Sequence, residues 1–70
     1  MTTKVDARGL SCPQPALMTR NAVRATEAGP IEVLVDTETS RDNCARIARR
    51  EGWTVAVSEE GGGYRLVLSK

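Results

Sequence analysis

Pro13 and Pro15 stand at alternate positions, and a proline pair so spaced admits few backbone courses. Proline fixes φ near the helical value and lacks an N–H, so it suits the first turn of a helix and breaks one further in. The run Leu10-Ser11-Cys12-Pro13-Gln14-Pro15 therefore reads as a helix start with Cys12 at its tip. A helix N-terminus carries partial positive charge and unsatisfied N–H groups. Both favour a thiolate over a thiol. Gln14 precedes a proline, which disfavours its helical conformation, so the first turn is expected to be distorted or to start one residue late.

Around this start the chain alternates two periodicities. Residues 4–7 read as a short strand and Arg8-Gly9-Leu10-Ser11 as a turn. The spacing predicts a first helix over 13–28, ended by Gly29-Pro30, with Met18, Ala22 and Ala25 facing inward and Leu17 flanking them. Residues 31–36, rich in β-branched side chains, form the best strand. A second helix is expected from Thr39 or Ser40, with Thr39 and Asp42 at capping-box spacing. Cys44, Ile47, Ala48 and Glu51 follow at helical spacing, and Gly52 closes the helix. Residues 53–58 and 64–69 alternate with period two around a glycine-rich loop at 59–63, a hairpin. Trp53, Val55 and Val57 share one face, as do Tyr64, Leu66 and Leu68, with polar side chains opposite. The order βαβαββ predicts an α+β two-layer sandwich. Its four-stranded mixed sheet carries both helices on one face, in one domain over 1–70.

Composition removes whole classes of chemistry. The chain has 70 residues, two cysteines, no histidine and a net charge of +1. Bulk charge thus points to neither nucleic acid nor membrane. Without histidine there is no catalytic triad and no histidine base. Two cysteines do not complete a four-ligand zinc site, so neither metal nor cofactor is expected. There is no C-x-x-C dithiol, no signal-peptide pattern and no membrane-spanning run. The expectation is a cytoplasmic protein with reduced thiols.

Chemistry in a β-α unit gathers beyond the carboxyl ends of parallel strands. If the first two strands are parallel, Arg8, Gly9, Cys12, Asp36, Thr39 and Arg41 are brought together there. The Gln14 and Ala16 N–H groups are candidates to face the sulfur. Arg8 and Arg41 would favour the thiolate, and Asp36 would oppose it. Cys44 lies on an apolar stripe and reads as core. Arg20, Arg24, Arg46, Arg49 and Arg50 read as a solvated helical face, with a basic surface for an acidic protein or RNA as the competing reading. Trp53 reads as packing rather than a base-stacking platform. Hydrolysis needs a proton donor for the leaving group, and disulfide oxidation needs a second thiol. Accepting and passing on a sulfur atom needs neither: a thiolate attacks the outer sulfur of a donor persulfide.

Asp6-x-x-Gly9-Leu10-x-Cys12-Pro13-x-Pro15 resembles the signature of the TusA/SirA/YedF family of small bacterial sulfur-carrier proteins. Val35-Asp36, Ser40-Arg41-Asp42-Asn43, Gly52-Trp53 and Tyr64-Arg65-Leu66 also resemble that family, so the likeness runs from Val5 to Leu68. It implies a fold like the C-terminal domain of translation initiation factor three and Cys12 as the persulfide-carrying residue. It implies a relay from a cysteine desulfurase or rhodanese-like donor to an acceptor protein, in tRNA thiolation, cofactor sulfuration or sulfur and selenium metabolism. Ser40-Arg41-Asp42-Asn43 resembles the YedF-like branch more than the tRNA-thiolation branch. The expected site is Cys12, shaped by Arg8, Gly9, Pro13, Pro15, Asp36 and Arg41, in a monomer with no membrane partner and no direct nucleic-acid binding. Two other readings stay open here: a non-enzymatic regulatory or RNA- or protein-binding module, and a redox switch with a Cys12–Cys44 disulfide.

Overall fold

Two parallel strands joined through a helix set the frame. The structure, a computed structural model, describes residues 3–11, 13–27 and 29–70. Its elements are β1 (Thr3–Asp6), α1 (Gln14–Ala25), β2 (Ile31–Val35), α2 (Glu38–Arg50), β3 (Thr54–Glu60) and β4 (Gly63–Ser69). The sheet order is β1-β2-β4-β3. β1 pairs with β2 in parallel, Thr3 opposite Ile31 and Asp6 opposite Leu34. β4 lies antiparallel between β2 and β3. Each crossover through a helix moves the chain toward the same side of the sheet. Right-handed crossovers of one winding direction put both helices on one face, where α1 and α2 pack side by side. The expected α+β sandwich is the observed one.

The core lies between these layers. Ile31, Val33 and Val35 of β2 and Leu66 and Leu68 of β4 are fully buried, as are Cys44 and Ala48 of α2. Burial of each large side chain contributes roughly 1.5–3 kcal/mol. The opposite sheet face is solvated. There Glu32 forms an ion pair with Arg65 at 3.0 Å, beside half-buried Leu34 and Val67.

Several element boundaries differ from the sequence reading, each for a physical reason. α1 ends at Ala25, and β-branched Thr26 is extended (φ −116°, ψ 126°) as the chain turns back toward the sheet. Ala28, the expected last residue, lies outside the described residues. The buried face of α1 is Pro15, Thr19 and Val23, with Met18 and Ala22 packed beside it, while Leu17 and Ala25 are exposed. Thr19 is buried because its hydroxyl donates to the Pro15 carbonyl at 2.9 Å, so a polar residue enters the core with its hydrogen bond made. α2 starts earlier than expected. Thr37 is its N-cap, with its side-chain oxygen accepting from the Ser40 N–H at 3.1 Å, so Thr39 and Asp42 are not the capping pair.

β1 begins at Thr3 rather than residue 4. Ala7 still donates its N–H to the Leu34 carbonyl at 2.8 Å, extending the ladder. Trp53 caps α2 through its N–H to the Ala48 carbonyl instead of opening β3, and its buried ring packs in the core. The hairpin loop shrinks to Gly61-Gly62, both at positive φ (57° and 84°), as a two-residue primed turn requires. Glu59 and Glu60 therefore pair within the sheet. Gly63 lies so close to the Val35 carbonyl that a Cβ would come within 2.6 Å. Val57 faces the helix side as expected, yet it is 44% exposed because it sits on the outermost strand.

The cap assignment is checked by urea unfolding. Thr37→Ala should cost about 1 kcal/mol, and Thr39→Ala, at an exposed non-capping position, should stay within about 0.5 kcal/mol of the parent. Equal losses would return the cap to Thr39.

Candidate functional site

The parallel β1–β2 pair ends at one edge of the sheet, and the segment from Ala7 to Pro13 rises from that edge to α1. Gly9 takes a left-handed backbone (φ 78°) in its turn, with nothing within 4 Å of where a Cβ would stand. Glycine is thus needed for its backbone angle and not for room. Its N–H donates to Oδ2 of Asp36, the residue directly after β2, at 2.8 Å. Leu10 packs against the core. The Ser11 carbonyl accepts from the Gln14 N–H at 2.9 Å, and the Pro13 carbonyl accepts from the Leu17 N–H at 3.0 Å. Pro13 is the N-cap of α1 and Pro15 lies in its first turn. The helix therefore begins one residue after Pro13, the late start that a residue preceding Pro15 implies. Cys12 itself lies outside the described residues.

The charged groups expected to shape the site divide into two sets. Arg8, Gly9 and Asp36 come together. Arg8 is bound by Asp6, through Nε at 2.9 Å and Nη2 at 2.8 Å, and its backbone N–H donates to the same carboxylate at 3.2 Å. The side-chain hydrogen bonds from Arg8 first, and its backbone N–H next, lower the Asp6 pKa from 3.8 to about 2. The same hydrogen bonds raise that of Arg8, with a further contribution from the nearby Asp36 charge. Most of the Arg8 charge is thus spent on Asp6. Arg41 sits on the first turn of α2, where Nε donates to Asp42 at 2.9 Å and the guanidinium lies 4.7 Å from the centre of the Tyr64 ring. That hydrogen bond raises the Arg41 pKa. The Gln14 N–H, expected to face the sulfur, is engaged by Ser11. No acidic residue occupies the first turn of α1, so no carboxylate there opposes its positive end.

Beside this edge a groove of about 400 Å³ is lined by residues that include Lys4, Arg8, Leu34, Asp36, Glu60 and Tyr64. The sequence reading missed Asp6, Lys4 and Tyr64 as neighbours of the site. The Asp6-x-Arg8 spacing carried a usable signal, because an aspartate side chain readily accepts from the backbone N–H two residues on in a turn. Tyr64 enters through hairpin register, which sequence separation conceals. Cys44 is fully buried in the core, as its apolar stripe indicated. Among the helix arginines, Arg24 pairs with Glu51 at 3.1 Å and Arg46 donates to Asn43 at 2.7 Å. Among the described residues, no group of three or more histidine, cysteine, aspartate or glutamate side chains is placed to hold a metal.

A family model for the sulfurtransferase TusA matches residues 3–70. The chain belongs to the TusA family. A candidate sulfur carrier protein of Methanocaldococcus jannaschii is 35% identical over 69 residues, spanning 96% of this chain and 92% of its own length. The crystal structure of a SirA-like protein from Desulfitobacterium hafniense superposes with a TM-score of 0.88 at 25% identity. It covers 97% of this chain and 96% of the other. The resemblance carried by the D-x-x-G-L-x-C-P-x-P run is thus a family membership. Among the described residues, no helix is long and apolar enough to cross a membrane.

The Asp6–Arg8 pair gives a pH prediction. The native Asp6 carboxyl titrates at about 2 against an ordinary 3.8, so the folded-state value is the lower one. The contribution of the pair to stability is then complete above pH ~4 and is lost as pH falls through about 2. Carboxyl-carbon NMR should find the native midpoint near 2, and Arg8→Ala should move it up toward 3.8. An unmoved midpoint would remove Arg8 as the cause.

Proposed function

We propose that the protein is a sulfur carrier that accepts a sulfane sulfur as a persulfide on Cys12 and relays it to an acceptor protein. One observation carries this reading: a TusA-family chain sets the described residues of its D-x-x-G-L-x-C-P-x-P run at the carboxyl edge of a parallel strand pair, directly before a helix. In the step, the Cys12 thiolate attacks the outer sulfur of a donor persulfide. A new S–S bond forms at Cys12 as the donor's S–S bond breaks. The donor leaves as its thiolate, and the persulfide proton travels with the transferred sulfur. The exchange is redox-neutral and asks for no base, as suits a chain without histidine.

Thiolate stabilisation then falls mainly to the α1 terminus, since Arg8 is neutralised by Asp6 and Arg41 is held at Asp42 and Tyr64. With the Gln14 N–H committed to Ser11 and Pro15 lacking one, Ala16 is the first-turn donor left from the expected pair. Exposed Pro13, Gln14 and Leu17 beside Cys12 in sequence leave this end of α1 open to two protein partners in turn. The donor is a persulfide-bearing enzyme of the desulfurase or rhodanese-like type.

Intact mass tests the assignment. Reduced protein incubated with a cysteine desulfurase and cysteine should gain one sulfur atom, released by reductant. Cys44→Ser should load like the parent, and Cys12→Ser should not load while keeping its far-ultraviolet circular dichroism. A folded Cys12→Ser protein that still gains sulfur would overturn the assignment.

A further inference from the structure

We infer that Asp36 is a positioning residue for sulfur transfer, acting through the Gly9 N–H rather than through contact with sulfur. The inference rests on the sulfur-carrier reading above and adds to it the group that holds the cysteine segment in place. Among the described residues, the contacts that tie that segment include four between Ala7 and Ser11. The Ala7 N–H continues the strand ladder, Leu10 enters the core, the Ser11 carbonyl meets Gln14, and the Gly9 N–H meets Asp36. The first three belong to the ladder, the core and the helix start. The fourth is a side chain from a different element, 27 positions away in sequence, reaching a backbone donor three residues before Cys12.

The chemistry of the residue fits this task. Asp36 stands one position beyond the last residue of β2, so its short side chain meets the turn after the neighbouring strand. A carboxylate accepting from an N–H makes a charge-assisted bond, shorter and stronger than a neutral one. Its negative charge disfavours a nearby thiolate, so catalytic electrostatics give no reason for a carboxylate here. Arg8, close enough for Asp36 to raise its pKa, offsets part of that charge. What the geometry asks of position 36 is an acceptor. Asparagine supplies the acceptor without the charge, and alanine supplies neither.

The test compares Asp36→Ala with Asp36→Asn, reading the initial rate of sulfur loading from a desulfurase and amide exchange at Gly9 by NMR. Asp36→Ala should slow loading about tenfold, the factor equivalent to ~1.4 kcal/mol and to about one net hydrogen bond. Its Gly9 amide should exchange faster. Asp36→Asn should restore the rate to within about threefold of the parent and keep the Gly9 amide protected. That rescue separates a hydrogen-bond role from a charge role. Loading by Asp36→Ala at the parent rate would overturn the inference, as would equal impairment in both variants or an unchanged Gly9 amide in Asp36→Ala. Failure of the parent protein to load at all would instead overturn the sulfur-carrier reading, and the positioning role with it.

Discussion

The parallel pairing of β1 with β2 is the constraint on which the rest of the structure depends. Parallel strands need a crossover, and the crossover here is α1. Once β1 and β2 run the same way, their carboxyl ends share one edge of the sheet. The turn after β1 and the residue after β2 are then neighbours although 27 positions separate Gly9 from Asp36. An antiparallel arrangement would send Asp36 to the far end of the sheet, and the cysteine segment would lose that contact. The β3–β4 hairpin turns at the same edge, because Tyr64 pairs with Val35. This is why Tyr64 and Glu60 of the hairpin join Arg8 and Asp36 around one groove.

Magnitudes separate what holds the fold from what tunes the site. Ile31, Val33, Leu66 and Leu68 are fully buried, and each is worth a few kcal/mol. The four ion pairs among the described residues are at least partly solvent-exposed, a class worth about 0–1 kcal/mol each and weakened by salt. Stability therefore rests on the β2–β4 centre of the sheet and the helix faces above it. Asp6, Arg8, Asp36 and Arg41 lie at the edge, where substitution changes charge and position more than folding. In a domain of this size the core leaves little surplus, so a site built from exposed groups at a strand end can vary without endangering the sheet.

The fold was legible in the sequence because periodicity, proline position and glycine spacing all agree. The alternation of Tyr64, Leu66 and Leu68 placed β4 correctly, and the β-branched run from Ile31 marked the central strand. The errors were local. Thr19 was missed as core because a hydroxyl that bonds back to Pro15 looks polar in sequence and apolar in packing. Thr37 and Thr39 both fit a helix cap, and only backbone geometry separates them. At the site, topology alone brought Arg8, Gly9 and Asp36 together. The partner choice of Arg8 was less legible: the turn after β1 folds it back onto Asp6, two residues earlier, which takes up most of its charge.

On the sulfur-carrier reading proposed above, that neutralisation changes how reactivity at Cys12 must be supplied. A cation beside a thiol lowers its pKa most when no counter-ion is bound to it, and both arginines expected to serve here already have acidic partners. What remains is the α1 N-terminus, a dipole fixed by backbone and free of acids in its first turn. Such a device neither titrates nor changes rotamer. Pro13 and Pro15 then have a second consequence. They fix where the helix begins while contributing no N–H, so the free donors at the start of α1 are few and set by position. A carrier must bind its cargo well enough to hold it and weakly enough to release it, and a site of few fixed donors satisfies both demands better than a cluster of mobile cations.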